Sequence, residues 1–381
     1  MRRRRESVKK AVLIPDSFKG TMSSMRICEI MKAEIHSIHP ECEVRSIPVA
    51  DGGEGSVDAF LQAVGGERVT LEVTGPWFER CEAYYGLIDS GTTAVIEMAA
   101  AAGLPMVGER RDPRATTTYG VGELMAAAAG AGAKRLIIGL GGSATNDGGC
   151  GAACAAGVKF YNAAGESFVP VGGTLCEIER IDMSGLDPAI AGAEIVAMCD
   201  IDNPMYGENG AAHIFGPQKG ADAEMIALLD EGLRHLARVI KRDLGIEVDT
   251  MPGAGAAGAM GAGMVAFFGA KLQMGIETVL DTVGFDEAIH GADAIFTGEG
   301  KLDSQSLRGK VVVGVARRAA KQGVPVIAIV GGADYGAEAA YSEGVTAIFP
   351  INRLPQDFSV IREHSEENLA FTMQNVLRIM R

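Results

Sequence analysis

One arrangement recurs along this chain and constrains it more than any other: a short β-rich run that ends in a loop of glycines and acids and resumes as a helix. Its sharpest instance is the run Ala292-Asp293-Ala294-Ile295-Phe296, which leads into Thr297-Gly298-Glu299-Gly300-Lys301-Leu302-Asp303-Ser304-Gln305-Ser306. Gly298 and Gly300 stop the strand, and Ser304 is placed to cap the helix that follows. Loops of this kind are where α/β proteins hold ligands. Two carboxylates (Glu299, Asp303), one ammonium (Lys301) and backbone amides freed by glycine suit a phosphate chain escorted by a divalent cation.

The same arrangement appears near the start. Lys10–Pro15 reads as a buried strand, and residues 24–38 place Met25, Ile27, Ile30, Met31, Ile35 and Ile38 at nearly helical spacing. Between them Asp16, Ser17 and Lys19 offer a second set of ligand contacts. Residues 44–49 form another short strand and end in Ala50-Asp51-Gly52-Gly53-Glu54-Gly55. Acids beside those glycines would repel a bare phosphate, so a metal ion or a substrate hydroxyl belongs between them.

From Arg68 the style changes to β-rich runs at 69–73, 82–88 and 93–98, separated by Thr74-Gly75-Pro76 and Asp89-Ser90-Gly91, the pattern of an antiparallel meander. A helix over 117–131 and a strand over 135–139 follow. That strand enters Gly141-Gly142-Ser143-Ala144-Thr145-Asn146-Asp147-Gly148-Gly149, a loop that can wrap amides and short polar side chains around oxygen atoms. A strand over 195–198 leads to Asp200, Asp202 and Asn203, which suit a cation, a hydroxyl or an Asx turn. Phe215-Gly216-Pro217-Gln218-Lys219-Gly220 and an amphipathic helix over 223–244 come next.

Gly253-Ala254-Gly255-Ala256-Ala257-Gly258 matches the dinucleotide fingerprint in form, but Pro252 stands where a strand should end. Close helix packing, or a glycine loop lining a nucleotide site, explains it better. The last third returns to strands over 292–296, 325–330 and 345–349 and helices over 310–321, 336–343 and 364–380. The expected architecture is therefore a parallel-sheet α/β domain made from both chain ends, 10–74 and 250–381, with a second α/β domain, 75–249, inserted. Residues 1–9, with Arg2 to Arg5, read as a disordered basic arm.

Composition sets the outer limits. With 381 residues, 47% of them apolar, the chain can bury a large core. A formal charge of -14 argues against nucleic acid or an anionic membrane as partner. Seven cysteines show neither a disulfide framework nor zinc-ligand spacing, which points to a reducing cytoplasm. The uncharged stretch 250–270 holds Pro252 and too many glycines for a membrane helix. No Walker motif and no protein-kinase motif set occurs.

Six ordered motifs, Pro15 to Gly20, Ala50 to Gly55, Gly141 to Gly149, Phe215 to Gly220, Pro252 to Gly258 and Thr297 to Ser306, together resemble the bacterial glycerate kinase family, collinearly from about Lys10 onward. The resemblance implies a flavodoxin-like domain with an inserted α/β domain, and an ATP- and Mg²⁺-dependent kinase acting on D-glycerate at a cleft between them. The product in this bacterial type is 2-phosphoglycerate; the 3-kinase regiochemistry and a nicotinamide-dependent oxidoreductase of small hydroxy acids are the alternatives. The chemistry fits independently, because phosphoryl transfer needs charge neutralisation, a held metal ion and a carboxylate near the accepting hydroxyl.

On that reading Lys19 and Lys301 sit on phosphate oxygens or the glycerate carboxylate. Asp51, Glu299 and Asp303 divide metal binding and proton acceptance, the metal falling to Glu299 and Asp303, with Asp200 as second candidate base. Ser143, Thr145, Asn146 and Gln218 position ligand oxygens. Asp16, Ser17, Gly52, Gly53, Glu54, Gly142, Asp147, Asn203, Lys219, Gly253, Gly255, Gly298 and Ser304 complete the expected contacts. The partners are small molecules, D-glycerate and ATP, and the oligomeric state stays open, a homodimer included.

Overall fold

The computed structural model describes residues 8–49, 53, 55–303 and 306–380. The chain divides into two units, one made of residues 1–50 and 276–381 and the other of residues 51–275.

The first unit is a five-stranded, wholly parallel sheet: β1 (Lys10–Pro15), β2 (Glu43–Ser46), β3 (Ala294–Gly298), β4 (Val326–Val330) and β5 (Val345–Pro350). In space they run β2-β1-β3-β4-β5, the flavodoxin-like order. Side chains alternate across the sheet. Leu13, Phe296 and Ile329 pack with Met31 and Ile35 of the Ser24–Ile38 helix and with Leu369 and Met373 of the Ser365–Met380 helix. Val12, Ile14, Ile295 and Ala328 point the other way, toward the side covered by the Val311–Ala320 helix. Both faces are thus closed, which is why these strands read as continuous apolar runs. Each fully buried Leu, Ile or Phe contributes about 1.5–3 kcal/mol.

The Ser24–Ile38 helix starts where the sequence says it should. The Ser23 hydroxyl accepts from Arg26 N, and the Ser24 hydroxyl donates to Pro15 O and accepts from Val49 N, tying the helix to the ends of the chain segments beside it.

The second unit holds a six-stranded sheet. Lys271–Gln273, Glu194–Met198, Arg135–Gly139 and Thr93–Glu97 are parallel neighbours, and Arg80–Ile88 and Glu67–Thr74 continue the sheet antiparallel. The meander expected over 69–98 is present as this antiparallel end. The helices Tyr119–Gly130 and Ala256–Phe268 pack on the sheet, and the 22-residue helix Ala223–Leu244 supplies Leu233, Leu236 and Ile240 to a second core cluster. A small sheet of Lys159–Tyr161, Ser167–Phe168 and Arg180–Asp182 had no signal in the sequence, because strands of two or three residues are too short to show alternation.

Three expectations are corrected. Residues 51–74 and 250–275 belong to the second unit, because Glu67–Thr74 pairs along its length with Arg80–Ile88 and Lys271–Gln273 pairs with Glu194–Met198. Val8 and Lys9 are not part of a loose arm: Val8 joins the first core, and Lys9 N donates to Asp293 Oδ2 at 2.6 Å. The helix expected over 336–343 is a 3₁₀ segment, Ala337–Glu343, wound more tightly between Gly336 and Gly344, both left-handed.

Two glycines at the end of the first sheet are close-approach residues. A Cβ on Gly298 would lie 1.9 Å from Ile329 O, and one on Gly331 would lie 2.3 Å from Gly300 O. Gly298→Ala should therefore force β3 and β4 apart and lower unfolding free energy by about 3 kcal/mol in a urea titration. An unchanged midpoint would show that the strands have slack the structure does not display.

Candidate active site

In the order β2-β1-β3-β4-β5 the direction of winding reverses between β1 and β3, and ligands of such sheets bind outside the carboxyl ends of the strands at that reversal. Asp16 follows the end of β1, and Glu299 and Asp303 follow the end of β3. Asp16 follows Pro15; its backbone N–H donates to Gly298 O at 2.8 Å, and its Oδ1 accepts from Ser17 N at 2.6 Å. Glu299 follows Gly298 and is buried, with Oε1 lacking any hydrogen-bond partner among the described residues. Burial pushes the Glu299 carboxyl up to about 7; the Ser306 hydroxyl opposes that, while the neighbouring Asp16 charge adds to it.

Asp303 and Ser306 cap one another at the 3₁₀ turn Ser306–Arg308. Asp303 N donates to Ser306 Oγ at 3.2 Å and Asp303 Oδ1 accepts from Ser306 N at 3.3 Å. Lys301 points elsewhere: it is exposed and paired with Asp334 Oδ2 at 2.8 Å, on the short parallel pairing of Lys301–Leu302 with Gly332–Ala333. Lys19 is exposed on the loop after β1. The fold thus gathers Asp16, Ser17, Lys19, Gly298, Glu299 and Asp303 at the two strand ends, and turns Lys301 toward Asp334.

The second unit builds a polar cluster at the carboxyl end of Arg135–Gly139. Asp147 is wholly buried and accepts from Thr118 N and Thr118 Oγ1, both at 2.8 Å, from Gly149 N at 3.1 Å and from Gly151 N at 3.3 Å. Burial still raises its carboxyl above the ordinary value, against the pull of those donors. Lys219, also buried, donates to Ser143 Oγ at 2.8 Å and to Thr145 O at 2.6 Å. Loss of water lowers its ammonium from the ordinary 10.5 to about 7, partly countered by Asp147. Next to these acceptors, Thr145 Oγ1 and both amide atoms of Asn146 are buried without a partner among the described residues. Native interiors rarely leave such groups unpaired.

The glycine run beside this cluster is not a dinucleotide turn. No strand leads directly into it: turns precede it and the Ala256–Phe268 helix follows. A Cβ at Gly253 would meet Cys199 Sγ at 2.9 Å, at Gly255 it would meet Pro204 O at 2.3 Å, and at Gly258 it would meet Thr145 O at 2.0 Å. Ala257, Gly258 and Ala259 all lie in the left-handed region, with φ of 56°, 65° and 66°. The run wedges between the loops after Met198 and after Gly139, and it fixes the Thr145–Asn146 peptide.

Other expected contacts have local duties. Asp200 Oδ1 accepts from Gly275 N at 2.7 Å, and Asn203 Nδ2 donates to Asn209 O at 2.8 Å. Gln218 is exposed, its carbonyl accepting from Arg111 Nη1. Gly142 O accepts from Leu104 N, and Gly53 O accepts the Ser56 hydroxyl. Asp51, Gly52, Glu54 and Ser304 lie outside the described residues.

Comparison with known proteins decides what these loops belong to. The glycerate kinase family pattern matches residues 11–381. The chain belongs to the glycerate kinase family. A glycerate kinase of Bacillus cereus is 45% identical over 97% of both chains, and a glycerate 2-kinase of Escherichia coli K12 is 46% identical over 90% of both chains. A crystal structure from Salmonella typhimurium LT2, described as a candidate glycerate kinase 2, superposes with a TM-score of 0.86 at 41% identity over 98% of each chain. As a member of this family the chain is a kinase, a phosphotransferase with an alcohol group as acceptor.

A kinase family implies a divalent cation. Among the described residues no three His, Cys, Asp or Glu side chains converge as a metal cage. Mg²⁺ asks for less, since one or two carboxylates suffice when phosphates and water supply the other ligands. The unpartnered Glu299 Oε1, with the Asp16 and Asp303 charges close enough to raise its carboxyl, fits such an ion. No helix among the described residues is long and apolar enough to cross a membrane.

The sequence reading passed over two polar residues. Thr118 holds Asp147, and Glu97 ends the otherwise apolar strand Thr93–Glu97, its Oε1 accepting from Val57 N at 2.7 Å at the start of the Ser56–Val64 helix. A carboxylate closing an apolar strand was the available signal for Glu97.

The buried lysine gives a testable pH dependence. Its folded value, about 7, lies below the ordinary 10.5, so between those limits the unfolded chain holds the extra proton and stability rises with pH. Lys219→Met should remove that rise, by up to about 1.4 kcal/mol per pH unit in denaturant titrations run from pH 7 to 10 without ligand. Parallel pH curves for the two proteins would place the amine in water.

Proposed function

We propose that the chain transfers the γ-phosphoryl group of ATP to D-glycerate, giving 2-phosphoglycerate and ADP. The observation that carries this reading is the gathering of Asp16, Lys19, Glu299 and Asp303 at the winding reversal of a flavodoxin-like sheet, in a member of the glycerate kinase family. The name of the Escherichia coli relative supports the 2-hydroxyl as acceptor.

In this reaction the substrate hydroxyl forms a bond to the γ-phosphorus as the bond to the β-phosphate oxygen breaks, and the hydroxyl proton goes to a carboxylate. Asp303 and Asp51 are the proposed acceptors of that proton, with Asp200 the second choice because its Oδ1 already holds Gly275 N. Lys19 is the proposed contact to the transferring phosphate. Lys301 could serve only by leaving Asp334. Glu299 and Asp303 would hold Mg²⁺, which when bound neutralises charge on the β- and γ-phosphates. Ser143, Thr145, Asn146, Gln218 and Lys219 are proposed to hold ligand oxygens. The seven cysteines, none in a disulfide, agree with a cytoplasmic location.

Incubation with ATP, Mg²⁺ and D-glycerate should give a phosphate resonance assigned to the 2-position by ³¹P NMR, and a chelator in excess should abolish turnover until Mg²⁺ is restored. A 3-phosphate product would overturn the regiochemistry; no phosphorylated product would overturn the reading. Asp303→Asn and Glu299→Gln should each lower kcat by about 100-fold or more, with the thermal midpoint within a few degrees of the parent. Unchanged turnover in both would remove the β3 loop from the reaction.

A further inference from the structure

We propose that Thr145, Asn146 and Lys219, with Ser143 at their outer edge, form the subsite for the carboxylate and adjoining hydroxyl of the hydroxy-acid substrate. This rests on the kinase reading above and adds to it which ligand the second unit's polar cluster takes.

Hydrogen-bond inventory favours a hydroxy acid in this cluster. Thr145 Oγ1, Asn146 Nδ2 and Asn146 Oδ1 are buried and have no partner among the described residues. Whichever way the Asn146 amide is turned, one atom wants an acceptor and the other a donor. A triphosphate at neutral pH offers acceptors almost alone and would leave the amide oxygen unpaired in the interior, at a cost of about 1–3 kcal/mol. A hydroxy acid offers both, acceptors on its carboxylate and donors on its hydroxyls.

Charge favours the same ligand. Lys219 brings one ammonium, and among the described residues it donates to two neutral oxygens, Ser143 Oγ and Thr145 O. The charged neighbours of the Gln218–Gly220 turn are Asp147, buried in the loop beside it, and Arg111, whose guanidinium lies on Gln218 O. Asp147 already satisfies four donors and adds a negative charge close by. One ammonium next to a fixed carboxylate leaves a singly charged acid one charge short of balance, whereas a polyphosphate held against Asp147 would be several charges short.

The cluster is also held rigid. Gly258 abuts Thr145 O so closely that an added Cβ would stand 2.0 Å away and 2.6 Å from Asn146 Cα, and Gly148 N donates to Gly258 O at 3.1 Å. A wedge of left-handed residues is thus spent on fixing one peptide, as preorganisation of a small-ligand site requires. The cluster reaches the surface through Gly142, which is exposed, and Ser143, which is 6% exposed.

A proton should accompany the acid. Away from ligand the amine of Lys219 is largely neutral at pH 8, and an arriving carboxylate restores its charge. Calorimetric titration of D-glycerate into the full chain at pH 8, in HEPES and in Tris, should therefore show net uptake of most of one proton, lost in Lys219→Met. In steady state, Lys219→Met and Thr145→Val should each raise KM for D-glycerate by about tenfold to 100-fold, with KM for ATP within about twofold of the parent. Lys219→Met removes a buried charge and Thr145→Val keeps shape, so both should fold, as thermal melts will check.

A rise in KM for ATP with that for glycerate unmoved would overturn the subsite, as would parental kinetics in both variants or a calorimetric glycerate affinity that Lys219→Met leaves unchanged. Those results leave the kinase reading standing if the parent still forms phosphoglycerate. Proton-linked glycerate binding with no phosphorylated product would keep the subsite and sink the kinase reading.

Discussion

Close approach of main chain to main chain, possible only where a side chain is missing, underlies both halves of this protein. Gly298 lets β3 lie against Ile329 O, and Gly258 lets a left-handed turn lie against Thr145 O. In each case the contact is made at the carboxyl end of parallel strands, where the polar side chains of interest begin. Glycine in these loops is therefore an instrument of placement. It brings backbones within a distance that any Cβ would forbid, and the neighbouring Glu299 or Asn146 is thereby held at a fixed point. The conformational cost is offset by packing on both sides of each loop.

Burial then sets the chemistry of what is placed. Glu299 and Lys219 are moved by loss of water in opposite directions, the acid up and the amine down, and both arrive at about 7. Each is thus poised near neutrality, unlike the exposed Lys301, whose ammonium is held charged by Asp334. Asp147 shows the contrasting solution, a buried carboxylate that satisfies four donors and so serves as scaffold for the loop from Thr145 to Gly151. Thr145 Oγ1 and the Asn146 amide, unpartnered among the described residues beside the fully satisfied Asp147, are the distribution expected where a ligand completes the hydrogen bonding and structure does not.

Much of this was legible in the residues. Continuous apolar runs such as Ala11 to Ile14 and Ala294 to Phe296 announce strands covered on both faces, and the helix over 223–244 appears where its amphipathic pattern places it. The glycine and acid loops hold Asp16, Glu299, Asp303, Asn146 and Asp147, which the fold sets after the carboxyl ends of its strands, whereas Glu97 and Thr118 were not singled out. The orientation of Lys301 was not legible, since nothing local reveals that Asp334, on the next strand end, would take its charge. Nor was the division of the chain: a boundary at 75 cuts the meander at Glu67–Thr74, which pairs with Arg80–Ile88, and Lys271–Gln273 joins the second sheet through Glu194–Met198, a distant partner that composition does not encode. The run 253–258 misled for a related reason, because glycines needed for packing and glycines needed for pyrophosphate are written alike.

The strand order of the first unit has a consequence for how the chain is made. Ile14 and Thr297, hydrogen-bonded in the finished sheet, are 283 residues apart in the sequence. At a ribosomal rate of about 5–20 residues per second, β1 waits some tens of seconds for β3 to emerge. Residues 51–275, contiguous, can complete their own sheet during that interval. The strand made first in that sheet can pair with β2 early, yet its other edge must stay open until β3 arrives, a window in which nascent-chain chaperones have something to shield.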